Sequence, residues 1–235
     1  MKMPFRGPWA VILLLVAGLF SPMPAGAGGP QRAQIIRFLG VSVARDVRDL
    51  RQGAVGELVV GWERRSDRHG IIVSFLEGPG SFSPETELAI LGAIDRAARA
   101  AGLETDSWNV SLAVHQPAGI IFGDSLTALV GLTVIALAKG DFIPLDRTMT
   151  GTITVDGAIG PVSSLPLKIE AAYRNHLRRV IVPDALDATD SDWLTPFLMH
   201  ISPIHSAAVA YQALTDHSLV SPEPDQASLP SSMAP

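Results

Sequence analysis

Residues 126–138 run Leu-Thr-Ala-Leu-Val-Gly-Leu-Thr-Val-Ile-Ala-Leu-Ala, carry no charged side chain and close on Lys139-Gly140. A helix of this composition is apolar on every side, so it must be buried rather than amphipathic. Thirteen residues rise about 20 Å, short of the ~30 Å hydrocarbon core of a bilayer. The run is therefore read as the core helix of a globular domain, and the rest of the chain has to supply the layers around it.

The composition can provide them. The 235 residues are 47% hydrophobic and 17% charged, enough for one domain or two small ones and too apolar for general disorder. The formal net charge is −5, and no Lys/Arg block exceeds two residues, so no nucleic-acid partner is expected. There is no cysteine, which removes disulfides, thiolate metal sites and cysteine nucleophiles. No two of the six histidines stand at the i, i+4 spacing of a helical metal pair, so no metal and no other cofactor is expected.

The two ends differ from the middle. Lys2 and Arg6 precede an apolar run at 9–20, Pro22 and Pro24 interrupt it, and Ala25-Gly26-Ala27 fits a small-x-small cleavage pattern. Residues 1–27 thus read as an export signal, which places the mature chain in a periplasmic or extracellular compartment. Twelve apolar residues are too few for an ordinary span; the alternative is an uncleaved N-terminal anchor with weak membrane association. Residues 28–34 read as a linker, 35–215 as the folded domain, and 216–235, rich in Ser, Pro, Asp and Ala, as a disordered tail.

Within the domain, strand and helix patterns alternate. Strands are expected at 35–43, 56–63, 71–77, 108–114, 149–155, 159–162 and 180–182, with the polar stretch 64–70 joining the second and third as a hairpin. Ser83 is suited to an N-cap, Pro84 to the first helical position, and Glu85 and Glu87 to the positive end of a helix in which Leu91, Ile94, Ala98 and Ala101 recur before Gly102. Further helices are expected at 168–177 and 207–214. The alternation predicts an α/β (α+β) domain with a mixed sheet and flanking helices.

Neither G-x-x-x-x-G-K-[ST] nor G-x-G-x-x-G occurs, so no nucleotide-binding loop is expected. Ser125 stands just before the apolar helix, where backbone N–H groups and the helix dipole stabilise an oxyanion. The plainer reading makes it a helix cap. Thr127 replaces the second glycine of a G-x-S-x-G elbow, and no spacing singles out His115, His176, His200 or His205 as a partner. Beyond the N-terminal segment there are two lysines. Lys139 ends a helix, where a cation is favoured. Lys168 lies in the first turn of a helix among Leu165, Leu167 and Ile169; the dipole and burial both lower a lysine pKa there, as a general base requires. A snorkelling surface lysine is the alternative.

These residues fall into a pattern. Gly123-Asp124-Ser125, Met149-Thr150-Gly151, Gly157 with Pro161-Val162, Lys168-Ile169-Glu170-Ala171-Ala172 and Val180-Ile181-Val182-Pro183 together resemble the proteolytic domain of Lon proteases (peptidase family S16), closest to the archaeal membrane-associated type. The 43 residues from Ser125 to Lys168 match the separation of that family's catalytic serine and lysine, and the resemblance extends over about 71–214. It implies a Lon-type α/β protease fold, Ser125 as nucleophile and Lys168 as base. It also implies Thr150 as the group orienting the lysine, and the backbone N–H groups of Asp124 and Ser125 as an oxyanion hole.

The same resemblance implies an ATP-independent serine endopeptidase acting on unfolded or flexible polypeptides, with hexameric assembly by analogy. The alternative is a weak or inactive Lon-like domain used for binding or assembly. Three departures stand out: Leu126-Thr127 follow the serine where small residues are usual, Ser163-Ser164 replace a Gly-Gly, and Phe122 stands where the commoner bacterial form has Asp.

Overall fold

The computed structural model describes residues 29–43, 51–116, 119–185 and 198–220; the export-like segment 1–27 and residues 221–235 of the expected tail lie outside the described residues. Strands β1 (Gln31–Val43) and β2 (Arg51–Arg64) pair antiparallel from end to end. β1 thus takes in residues 31–34, which the composition had placed in a linker. β5 (Trp108–Gln116) lies antiparallel to β2, and β3 (Ile72–Leu76) lies parallel to β5. The short β4 (Gly80–Phe82) touches β5 and pairs parallel with β6 (Gly119–Ile121), completing a mixed sheet of six strands.

The hairpin expected across 64–70 does not form. Arg65 N–H donates to Ser107 C=O (2.7 Å) and Gly70 N–H to Asp106 C=O (2.9 Å), so this stretch wraps the start of β5. β5 then occupies the place between β2 and β3. Alternation identifies a strand but carries no information about its neighbour, and here the neighbour is supplied some fifty residues downstream.

A second sheet holds three parallel strands in the order β11 (His200–Ile204), β10 (Arg179–Pro183), β7 (Arg147–Met149). β11 was not anticipated: Pro203 argues against a strand, but β11 is an edge, where a missing N–H is tolerated. β8 (Thr152–Ile153) and β9 (Ile159–Gly160) form a small hairpin about Asp156-Gly157. The single strand expected at 149–155 is therefore split between two sheets.

Four helices among the described residues fill the remaining space. α1 (Pro84–Ala100) starts as read: Ser83 caps it and Pro84 opens it. Its buried stripe, however, runs through Ile90, Ala93, Ile94, Ala97 and Ala98, leaving Leu91 at the rim. α2 (Thr127–Lys139) is the core helix, buried at every position from Thr127 to Leu137 and stopped by Gly140 in the left-handed conformation. α3 (Leu165–Arg174) begins three residues earlier than expected, and α4 (Ala207–Thr215) ends the domain. The chain stays ordered past 215: Lys139 Nζ donates to Leu219 C=O (2.9 Å), and Leu219 is buried, so residues 216–220 belong to the fold rather than to a tail.

The core has two parts. The larger cluster joins the six-stranded sheet to α1, α2 and α4. The smaller one gathers Leu39, Val162, Leu165, Ile169, Ala172, Leu177, Val180, Val182 and Met199 around α3. β10 divides them, with Ile181 turned to the first and Val180 and Val182 to the second, as strand alternation dictates.

Candidate active site

Ser125 precedes α2 and belongs by its neighbour Leu126 to the larger cluster; Lys168 sits on α3 between residues of the smaller one. The two side chains meet where the clusters join. Lys168 Nζ lies 3.0 Å from Ser125 Oγ and 3.2 Å from Thr150 Oγ1. Lys168 is 4% exposed and Thr150 is fully buried. The capping alternative for Ser125 does not hold: the cap position of α2 is Leu126, and no side chain caps it.

The main chain around Ser125 is fixed by the segment between β7 and β8. Gly151 N–H donates to Ser125 C=O (2.6 Å), the Thr150 hydroxyl lies 3.2 Å from the same oxygen, and Ala128 N–H donates back to Gly151 C=O (3.1 Å). Thr150 N–H meanwhile donates to Ile181 C=O (3.1 Å), extending the β7–β10 ladder by one step. The Met149-Thr150-Gly151 triplet thus ties the serine turn to the sheet that carries α3. Gly151 is needed for close approach, since a Cβ there would stand 2.7 Å from Ile159 Cγ2.

α3 enters in an unusual way. Ser164 has φ 59° and ψ 35°, the left-handed region, and makes no side-chain cap bond. A glycine adopts this backbone without cost, whereas a residue with a Cβ is disfavoured by roughly 1 kcal/mol. The serine at this position is one of the departures noted above, and the positive φ shows what a glycine would be for. No acidic side chain stands in the first turn. Lys168 is buried close to this helix start, the positive end of the dipole.

The pair opens on a cleft of about 370 Å³ whose walls include Leu39 and Val41 of β1, Phe122, Asp124 and Leu126 before α2, and Val162 before α3. Phe122 is 72% exposed there. Among the described residues no histidine lines this cleft, so His115, His176, His200 and His205 are not brought to Ser125; His200 Nδ1 instead lies 2.8 Å from Ser202 Oγ. Asp124 and Ser125 line the cleft, and neither N–H donates to another backbone group among the described residues.

The loop that carries them is held by Ser83 and Thr86 at the start of α1. Ser83 reads from the sequence only as a cap, and Thr86 has no sequence signal at all, because its partners are backbone carbonyls 35 and 37 residues away.

Comparison with known proteins agrees with this arrangement. Residues 83–192 match the model of the Lon protease (S16) C-terminal proteolytic domain. The Lon protease of Mycolicibacterium smegmatis is 26% identical over 152 residues, covering 57% of this chain and 20% of that protein. Lon protease 1 of Syntrophobacter fumaroxidans is 32% identical over 107 residues, 44% of this chain and 13% of that protein. The peroxisomal Lon protease homolog 2 of Homo sapiens is 35% identical over 79 residues, 32% of this chain and 9% of that protein. The chain thus corresponds to a fifth or less of the length of these relatives.

Proposed function

We propose that this chain carries a proteolytic domain of the Lon (S16) type and is a serine endopeptidase whose nucleophile is Ser125 and whose general base is Lys168. The observation that carries the proposal is the 3.0 Å separation of Lys168 Nζ from Ser125 Oγ with the lysine 4% exposed.

A neutral amine at that distance accepts the serine proton. One of its two N–H groups then faces Thr150 Oγ1, and the Thr150 hydroxyl faces Ser125 C=O. Ser125 Oγ bonds to the scissile carbonyl carbon as its proton passes to Lys168 Nζ. The resulting oxyanion is met by the N–H groups of Asp124 and Ser125. Collapse breaks the C–N bond, and Lys168 returns the proton to the leaving amine. Water then attacks the ester, giving a proton to Lys168; collapse breaks the C–Oγ bond, releases the carboxyl product and returns the proton from Lys168 to Ser125 Oγ. Thr150 does not touch the reacting atoms; it orients the lysine.

The substrate in this reading is a flexible or unfolded polypeptide, because the pair lies at the floor of a cleft lined by strand and loop walls. Cleavage needs no nucleotide, in keeping with the lack of a phosphate-binding glycine motif. Export through residues 1–27 and assembly as a hexamer complete the proposal, with weak membrane attachment through that segment, left uncleaved, as the alternative to its removal.

A fluorophosphonate probe tests the central step. Labelling of the wild type that disappears in Ser125→Ala supports the peptidase. A folded wild type that neither labels nor cleaves an unstructured polypeptide overturns it in favour of a binding module. N-terminal sequencing of the secreted or periplasmic product tests export, with Gly28 expected as the first residue.

A further inference from the structure

β4 and β6 run parallel as far as Phe82 and Ile121, where the ladder ends. The start of α1 continues to hold the chain beyond that point. Ser83 N–H donates to Ile121 C=O at 2.9 Å. Thr86 Oγ1 lies 3.0 Å from Gly123 C=O, 3.3 Å from Ile121 C=O and 3.1 Å from Ser83 Oγ, and the residue is 1% exposed. Thr86 N–H donates to Ser83 Oγ (3.3 Å), the ordinary cap bond. Carbonyl oxygens only accept, so the Thr86 O–H donates to the nearer one, that of Gly123.

That carbonyl is part of the peptide unit joining Gly123 to Asp124. In a trans peptide the C=O and the following N–H point in opposite directions, and the unit turns as a plane. Gly123 has φ +91°, a conformation that leaves the plane free to swing where no side chain restrains it. Fixing the Gly123 oxygen on Thr86 therefore fixes the Asp124 N–H on the other side, away from α1.

We propose that Thr86 is a positioning residue for the reaction: its hydroxyl sets the 123–124 peptide plane and through it the Asp124 N–H that meets the oxyanion. This rests on the Ser125/Lys168 peptidase reading. Thr86 acts through the backbone and touches neither substrate nor reacting atoms. The effect belongs to the transition state, because the donor aims at the position of the tetrahedral oxygen rather than at the bound substrate.

The test compares Thr86→Val, which keeps the shape and removes the hydroxyl, with Thr86→Ser, which restores it, on full-length protein assayed well below each melting temperature. In Thr86→Val, kcat falls about tenfold, a fraction of the loss seen when an oxyanion donor is removed outright, while KM stays within about twofold. Inhibition by a peptidyl boronate, whose tetrahedral adduct on Ser125 places an oxygen at the same donors, weakens by about the same factor as kcat. The pH midpoint of kcat/KM is unchanged, since Lys168 is untouched. Thr86→Ser recovers kcat to within about twofold.

Ser83→Ala loses the cap but keeps the N–H bond to Ile121; it lowers the melting temperature and leaves kcat within about twofold. This variant keeps the proposal open to refutation where Thr86→Val fails to fold, because a tenfold kcat loss in Ser83→Ala makes general loosening of α1 the cause. Wild-type kcat in folded Thr86→Val, a Thr86→Ser as slow as Thr86→Val, or a change in KM alone also overturns it. The absence of any Ser125-dependent cleavage by the wild type overturns the peptidase reading together with this one.

Discussion

The two hydrophobic clusters hold the two halves of the site in different ways. Ser125 leads into α2, which is buried from Thr127 to Leu137 and sheathed by the six-stranded sheet, α1 and α4. Lys168 rides on α3, a ten-residue amphipathic helix that enters through a left-handed serine without a side-chain cap and rests on a cluster that, among the described residues, is about a quarter the size of the other. Ser125 is thus fixed by a core that has little freedom to relax. Lys168 sits on a layer that is expected to yield first. Sensitivity to mutation should divide accordingly: the α2 side governs whether the molecule is folded, and the α3 side governs how well the amine is aimed.

The largest effect lies at the meeting point. Ser125→Ala and Lys168→Arg should each lower kcat by at least about 10³-fold with little change in melting temperature, because the arginine remains charged and cannot take the proton. Substantial activity in Lys168→Arg, measured on a peptide substrate, would assign the base elsewhere. The wild-type pH profile should show the same chemistry. If the neutral amine is the base, kcat/KM rises about tenfold per pH unit on the acid side before reaching a plateau. A flat profile from pH 6 to 10 would remove lysine as the base.

Packing changes separate the two sides. Leu129→Ala in α2 should cost about 2–5 kcal/mol of stability, while the surviving folded fraction keeps its kcat. Ile169→Ala in α3 should cost less overall and lower kcat out of proportion, because α3 can shift into the space left behind. Denaturant titrations paired with active-site titration would distinguish the two, and identical behaviour would show that the clusters act as one. A smaller effect of opposite sign is expected at the entry to α3, where Ser164→Gly should stabilise by up to ~1 kcal/mol by removing a Cβ from a left-handed backbone. The smallest lies at the entry to α2. The Thr127 hydroxyl is buried without a hydrogen-bond partner among the described residues, so Thr127→Val should be neutral or stabilising by less than ~1 kcal/mol in thermal melts.

Much of this was legible in the residues. The core helix follows from thirteen uncharged positions, α1 from Ser83-Pro84 and its acidic first turn, and the β8–β9 hairpin from Asp156-Gly157. The serine and the lysine were found by type and by a resemblance in spacing. What failed was pairing. The 64–70 stretch reads as a hairpin loop, yet it wraps the end of β5, and β11 was hidden by Pro203 on an edge strand. Thr86 could not have been found, since a buried threonine has no pattern that announces which carbonyl it will meet.

The sequence by itself determined which segments must be buried, where α1 starts and α2 stops, and which two side chains have the chemistry for proton transfer, because these depend on composition and on interactions within a few residues. Only the tertiary structure decided that Ser125 and Lys168 share a cleft at the seam between two cores, that Thr150 and Gly151 stitch the serine turn to the second sheet, and that α1 reaches across to the loop before the nucleophile. Those contacts join residues 18 to 43 positions apart. They arise from the order in which strands and helices pack, which is set by the fold as a whole and by no local stretch of chain.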